Sequence, residues 1–180
     1  MPRLGLVSGT VKIEEYNSEW KRDFRIEKIL LKEHLRGYNV DIQHVGSTSI
    51  EGCWAKPIID IAIGVESLEY GGELIPMLCN IGYIYRGNAG LPGRHFFKRN
   101  EGELSTHYIH IVPIGGRLWN NLILFRDYLN THHQFIVEYS KLKRALEKDC
   151  LKNRQEYTMK KSPFIESILK RAEDENHILD

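Results

Sequence analysis

Paired cysteines are missing from this sequence, and that sets a first limit. Cys53, Cys79 and Cys150 are its three cysteines. They are far apart and odd in number, so neither a disulfide framework nor a zinc site built on C-x-x-C pairs is supported. Reduced thiols of this kind fit a cytoplasmic protein. No window approaches the ~20 apolar residues of a membrane span, and no sustained apolar stretch follows Met1-Pro2-Arg3-Leu4-Gly5-Leu6, so neither membrane insertion nor secretion is expected. Charge of one sign is lacking too. The formal net charge is +1, which gives no broad pull toward nucleic acid or acidic membrane.

Several reaction classes are excluded by missing motifs. There is no G-x-G-x-x-G dinucleotide fingerprint and no G-K-[ST] phosphate loop. Ser47 is followed by Thr48-Ser49 rather than standing in G-x-S-x-G, which argues against a Ser-His-Asp hydrolase. None of the eight histidines begins H-x-T or H-x-S, so two-histidine phosphodiesterase chemistry is set aside.

What remains is an ordinary globular composition over 180 residues, the size of one domain with a proper core. No repeat or long linker divides the chain, and residues 1–180 are read as a single α/β domain. Val11 to Tyr16 alternates well enough for a short strand or an extended arm. Asn17 or Ser18 then caps a helix through about Leu35, along which Trp20, Phe24, Leu31 and Leu35 form a stripe. Val40 to Val45 alternates at period two, and Ile58 to Val65 is almost entirely apolar, as in a strand covered on both faces. A helix from Gly71 to Cys79, a strand start at Tyr83 and a strand pair, His95–Arg99 with Thr106–Val112, complete the sheet-forming half. From Leu118 to Leu151 the spacing turns helical, and a last helix is expected from Pro163 to about Ala172.

Asp60 is the residue that most needs a reason. A carboxylate within an apolar strand costs several kcal/mol to bury unless it is paired or metal-bound. Upstream, another strand ends at Gly46-Ser47. Glycine lets backbone approach a ligand, serine and free N–H groups can cradle phosphate, and a nearby carboxylate can bind Mg²⁺. Together they describe a site for a triphosphate and a metal. A structural arginine would satisfy Asp60 equally well.

Residues 44–60, H-V-G-S-T-S-I-E-G-C-W-A-K-P-I-I-D, resemble the signature of the GrpB family (UPF0157) of the nucleotidyltransferase superfamily. The likeness extends over nearly the whole chain, through Trp20, Gly93-Arg94, Thr106-His107, His110, Phe125-Arg126-Asp127-Tyr128-Leu129, Tyr157 and Lys161. It implies a nucleotidyltransferase-like mixed sheet with flanking helices and a helical C-terminal half. It further implies a metal-dependent nucleotidyl- or phosphotransferase acting from a nucleoside triphosphate, with Mg²⁺ or another divalent cation, on a small-molecule or protein acceptor.

In that reading Gly46, Ser47 and Thr48 hold phosphate. Asp60 binds the metal, and His110 or His107 completes its coordination or takes the acceptor's proton. Lys56 and Arg94 offset charge, while Tyr157 and Lys161, one helical turn apart, close over the cleft. His107 and His110 point to opposite strand faces unless a bulge intervenes, and His110 is favoured. Arg126 and Asp127 suggest an interhelical ion pair.

Two departures from the family pattern stand out. Glu51-Gly52-Cys53 replaces the usual Pro-Gly-Leu. Like other family members, the chain has Ala62 where active nucleotidyltransferases carry a second carboxylate. The second departure supports an alternative in which the fold has lost catalysis and binds a nucleotide or a CoA-like ligand. GrpB domains also occur fused to dephospho-CoA kinase.

Overall fold

The computed structural model describes residues 4–179, with side chains described through residue 175. The elements run β1 (Leu6–Val7), α1 (Glu19–His34), β2 (Asp41–Val45), a short 3-10 turn (Ser47–Ser49) and β3 (Ile59–Val65). There follow α2 (Leu68–Gly72), α3 (Ile75–Asn80), β4 (Ile84–Tyr85), β5 (His95–Glu101) and β6 (Leu104–Pro113). The chain ends in α4 (Arg117–Thr131), α5 (His133–Asp149) and α6 (Arg154–Leu179).

The strands form one mixed sheet in the order β2-β3-β6-β5-β4, with β1 against the start of β6. β3 and β6 are parallel, and the other pairs are antiparallel. One face is covered by α1, α2 and α3. There Trp20, Phe24 and Leu31 pack with Ile59, Ile61, Ile63, Phe97, Ile109 and Ile111. This continuous β-branched layer explains why the strands read as apolar runs. The other face meets α4 through Val45, Ala62, Val112 and Trp119. α4, α5 and α6 pack on one another around Ile50, Phe125, Tyr139 and Ile168. The helical half thus lids the second face incompletely, and the gap is a cleft.

Some expectations change in detail. The stretch from Val11 to Tyr16 makes one bridge, Glu14 to Ala55, rather than a strand. Asn17 does cap α1, its Oδ1 accepting from the Glu19 N–H at 3.0 Å. The expected helix at residues 71–79 is two short ones. The last helix begins at Arg154, with Pro163 inside it. Proline marked the wrong boundary because burial of Tyr157 and Ile168 anchors the helix on both sides of it. Arg126 pairs with its neighbour Asp127 and reaches back to β2, donating to Gln43 Oε1 at 2.9 Å and to the His44 carbonyl at 3.0 Å. It therefore ties helix to sheet and does not join two helices. No helix among the described residues is long and apolar enough to cross a membrane.

Candidate functional site

The cleft encloses about 930 Å³. Its floor is the α4-facing side of the sheet, where register aligns Asp60 with Tyr108 and Ala62 with His110. Its walls are the 3-10 turn, the loop at residues 86–94, and the inner sides of α4, α5 and α6. Gly46, Ser47, Lys56, Asp60, Arg94, His110, Tyr157 and Lys161 all line it, so residues scattered over more than a hundred positions converge.

Gly46 adopts φ +70°, which L-residues with side chains rarely take. A β-carbon there would meet the Asp60 carboxylate. Only glycine lets the end of β2 pass this close to β3. Thr48 forms part of the wall, but its hydroxyl is turned inward. It lies 3.0 Å from His44 Nε2 and donates weakly to the Ile58 carbonyl at 3.4 Å. The Thr48 hydroxyl is therefore committed to shaping the turn. Burial holds the ring of His44 neutral, with its pKa down to about 4.

Asp60 is about one-third exposed, with Oδ1 3.6 Å from His110 Nε2. Burial pulls its pKa up, but the approach of His110 and the charges of Lys56 and Arg154 outweigh this and leave it below the usual carboxylate range. On the far side of the ring, Arg94 donates to His110 Nδ1 at 2.8 Å. Arginine has no acceptor, so the ring's single proton sits on Nε2, facing Asp60. His110 thus presents a donor where a metal ligand would need a lone pair. To coordinate a cation at that nitrogen, His110 would first have to give up the proton.

His107 lies outside the cleft. No bulge falls between His107 and His110 in the β5–β6 ladder, so their three-residue spacing puts them on opposite faces. His107 is buried under α1, where Arg99 donates to its Nδ1 at 3.0 Å and pairs bidentately with Glu27 at 2.8 and 2.6 Å. Tyr83 donates to the same Glu27 at 2.8 Å. Desolvation first, and Arg99 second, depress the pKa of His107 to about 3. It is a neutral member of a structural ion network.

Two cations given no role from the sequence strengthen the positive electrostatics of the site. Lys143 and Arg154 join Lys56, Arg94 and Lys161 around the cavity. Asp60 is the sole carboxylate lining it among the described residues. Among the described residues none of these cations forms an ion pair with a carboxylate there. Each instead rests on an aromatic face. Lys56 and Lys161 lie 5.3 and 4.6 Å from the Tyr157 ring, Lys143 lies 4.1 Å from Tyr139, Arg154 lies 4.9 Å from Tyr108, and Arg94 lies 4.7 Å from Phe96.

Lys143 is almost fully buried, its Nζ 3.1 Å from Cys53 Sγ. Burial pushes its pKa down, and that of Lys56 too. Burial and then Lys143 lower Lys161 to about 8. The signal for Lys143 was present in the sequence, since it falls one turn after Tyr139 on the buried side of α5.

A divalent cation finds poor support in the protein's own donors. Among the described residues no three His, Cys, Asp or Glu side chains gather as a ligand set. Asp60 offers its oxygens alone amid a surplus of positive charge. The place of a second carboxylate is closed, because Ala62 is fully buried and packs with Trp119.

The GrpB protein family profile matches residues 10–171. The chain belongs to the GrpB family. It is 37% identical over 173 residues to the glutamate-rich protein GrpB of Alkalihalophilus pseudofirmus, covering 92% of this chain and 98% of that one. It is 34% identical to the UPF0157 protein YqkA of Bacillus subtilis, covering 90% of this chain but 47% of that one. The crystal structure of conserved protein GrpB from Enterococcus faecalis superposes with a TM-score of 0.83 at 31% identity, over 92% of this chain and 99% of that one. The Cid1 poly(U) polymerase bound to MgGTP superposes with a TM-score of 0.51 at 14% identity, over 71% of this chain and 42% of that one. The last likeness establishes the nucleotidyltransferase-like fold, as expected, and nothing finer.

Proposed function

We propose that this GrpB protein binds the polyphosphate of a nucleotide in the cleft and transfers a nucleotidyl or phosphoryl group to an acceptor. The observation that carries the reading is the set of cations seated on aromatic rings with Asp60 as the one lining carboxylate among the described residues. Several desolvated positive charges sharing one carboxylate are unfavourable unless a ligand supplies further negative charge. Lys56, Lys143, Arg154 and Lys161 match the charge of a triphosphate, and the Gly46-Ser47 turn lets oxygen atoms come close. Arg94 can reach a phosphate from its loop.

In the transfer step the acceptor's oxygen bonds to phosphorus as the bridging P–O bond to the leaving phosphate breaks. The acceptor's proton passes to Asp60, with the His110 Nε2–H beside it. Positioning and charge stabilisation carry the reaction. A divalent cation enters this reading only with the triphosphate it accompanies, with Asp60 as the oxygen donor facing it.

The sealing of Ala62 beneath Trp119 favours a second reading, a module of the same fold that binds a nucleotide or CoA-like ligand without turnover. Thermal-shift titration with each nucleoside triphosphate, with and without Mg²⁺, separates the two in wild type and Asp60→Ala. Stabilisation that needs Mg²⁺ and Asp60 supports the transferase. Stabilisation indifferent to both supports the binding module. No response to any nucleotide refutes both.

A further inference from the structure

The cleft-lining residues of α6 change character along the helix. Arg154, Tyr157, Lys161, Ile165 and Leu169 follow one another at helical spacing and all line the cleft. The first two turns of this stripe are basic and the last two aliphatic. Lys161 to Leu169 covers about 12 Å of helix axis.

The floor follows the same course. Tyr108, His110 and Pro113 lie in that order along β6. Arg154 rests on Tyr108, Asp60 faces His110, and at Pro113 a second cavity of about 540 Å³ begins. The two cavities share Leu91, Leu118, Asn121, Ile165 and Leu169 as walls. The two cavities therefore adjoin, with a cationic end, the Asp60–His110 pair midway, and a mainly apolar groove between α4 and α6 that also carries Arg117, Ser162 and Glu166.

The walls indicate what the groove suits. Where the cavities join, a single amide, Asn121, interrupts four aliphatic side chains, and the aromatic and charged walls, Trp119, Arg117 and Glu166, line only the second cavity beyond them. Nucleobases are held by stacking and by hydrogen bonds to their edges. Aliphatic walls of this length match a saturated or branched hydrocarbon chain, which gains by leaving water and asks for no polar partner.

We infer that the groove is the acceptor's subsite and that the acceptor carries an aliphatic chain. The chain lies along Leu118, Ile165 and Leu169, and a hydroxyl-bearing head stands at Asp60 and His110. The inference rests on the proposed polyphosphate site, because that site assigns the cationic end to the donor and leaves the other end to the acceptor.

The test is a titration of the whole protein, followed through its Leu and Ile methyl NMR signals. The probes are 1,2-decanediol and 1,2-propanediol, each with and without saturating tripolyphosphate. The longer diol should bind about tenfold more tightly or better, as expected when several methylenes leave water. It should shift the Leu118, Ile165 and Leu169 methyls, and it should still bind with tripolyphosphate present. Leu169→Gln, or Ile165→Gln should the first fail to fold, should remove the advantage of the long chain and leave tripolyphosphate affinity intact.

Equal affinity for the two diols, or displacement of the long one by tripolyphosphate, overturns the inference while the polyphosphate reading stands. Co-sedimentation with phosphatidylcholine vesicles in place of binding to the free diol overturns it in favour of a bilayer surface. Failure of tripolyphosphate to bind removes the donor end, and the acceptor assignment falls with it.

Discussion

A β-carbon on Gly46 would stand 2.7 Å from Oδ2 of Asp60, so the turn after β2 and the carboxylate on β3 are fitted to each other. Gly46→Ala meets both this contact and a φ of +70°. It is expected to cost about 1–3 kcal/mol of stability and to displace Asp60 from the cleft floor. Urea unfolding reads the first effect, and the loss of any ligand response that depends on Asp60 reads the second. A variant with unchanged stability and unchanged ligand response would show that the close approach has no consequence.

The two histidines of β6 should behave differently. His107 accepts from Arg99 beside Glu27, so His107→Ala leaves part of a buried network unsatisfied. The expected loss is about 1–3 kcal/mol, with tripolyphosphate affinity unchanged. His110→Ala should instead alter the cleft by releasing Arg94, with a smaller effect on stability. Chemical denaturation and calorimetric titration of both variants check this, and the opposite pattern contradicts the face assignment.

Much of this architecture was legible in the sequence because burial patterning is local. The stripe of α1 and the apolar run of β3 needed only their own residues. The opposition of His107 and His110 followed from strand period alone. The cation cluster was harder to see, because its members come from two loops, from α5 and from α6, and only tertiary packing brings them together. Arg154 and Lys161 were within reach: they are seven residues apart with Tyr157 between them, hence on one helix face. Reading Pro163 as a helix start concealed that relation, since it left Arg154 outside the helix. The tautomer of His110 could not be read from sequence at all, because it depends on Arg94 arriving from a glycine-bearing loop.

Lys143 offers a test of stability against function. Its ammonium is almost fully buried, with a thiol sulfur as its hydrogen-bond partner. Lys143→Met keeps the apolar stem and removes a desolvated charge. The variant without ligand should gain about 1 kcal/mol, a rise in Tm of roughly 2–4 °C for a chain of this size, and should bind polyphosphate less tightly. Scanning calorimetry with and without tripolyphosphate measures both changes. A fall in Tm would mean that the buried ammonium stabilises the fold.

The protonation of Lys161 gives a pH signature. Its pKa falls from 10.5 to about 8 in the folded protein, so between those values the unfolded chain holds more protons and stability rises with pH. An anion beside Lys161 raises its pKa again. Tripolyphosphate binding at about pH 9 should therefore take up protons, and affinity should fall as pH climbs through 8. Calorimetry in buffers of different ionisation enthalpy detects the uptake, which should shrink in Lys161→Met.

The most direct measurement is calorimetric titration of tripolyphosphate into the wild type and into Lys56→Met/Lys161→Met, which retains both side-chain stems over Tyr157. The account predicts saturable one-site binding that weakens with added salt and at least about tenfold weaker binding by the double variant, as expected for lost charge-assisted contacts. Equal affinity of the two proteins, or no binding by the wild type, would contradict it.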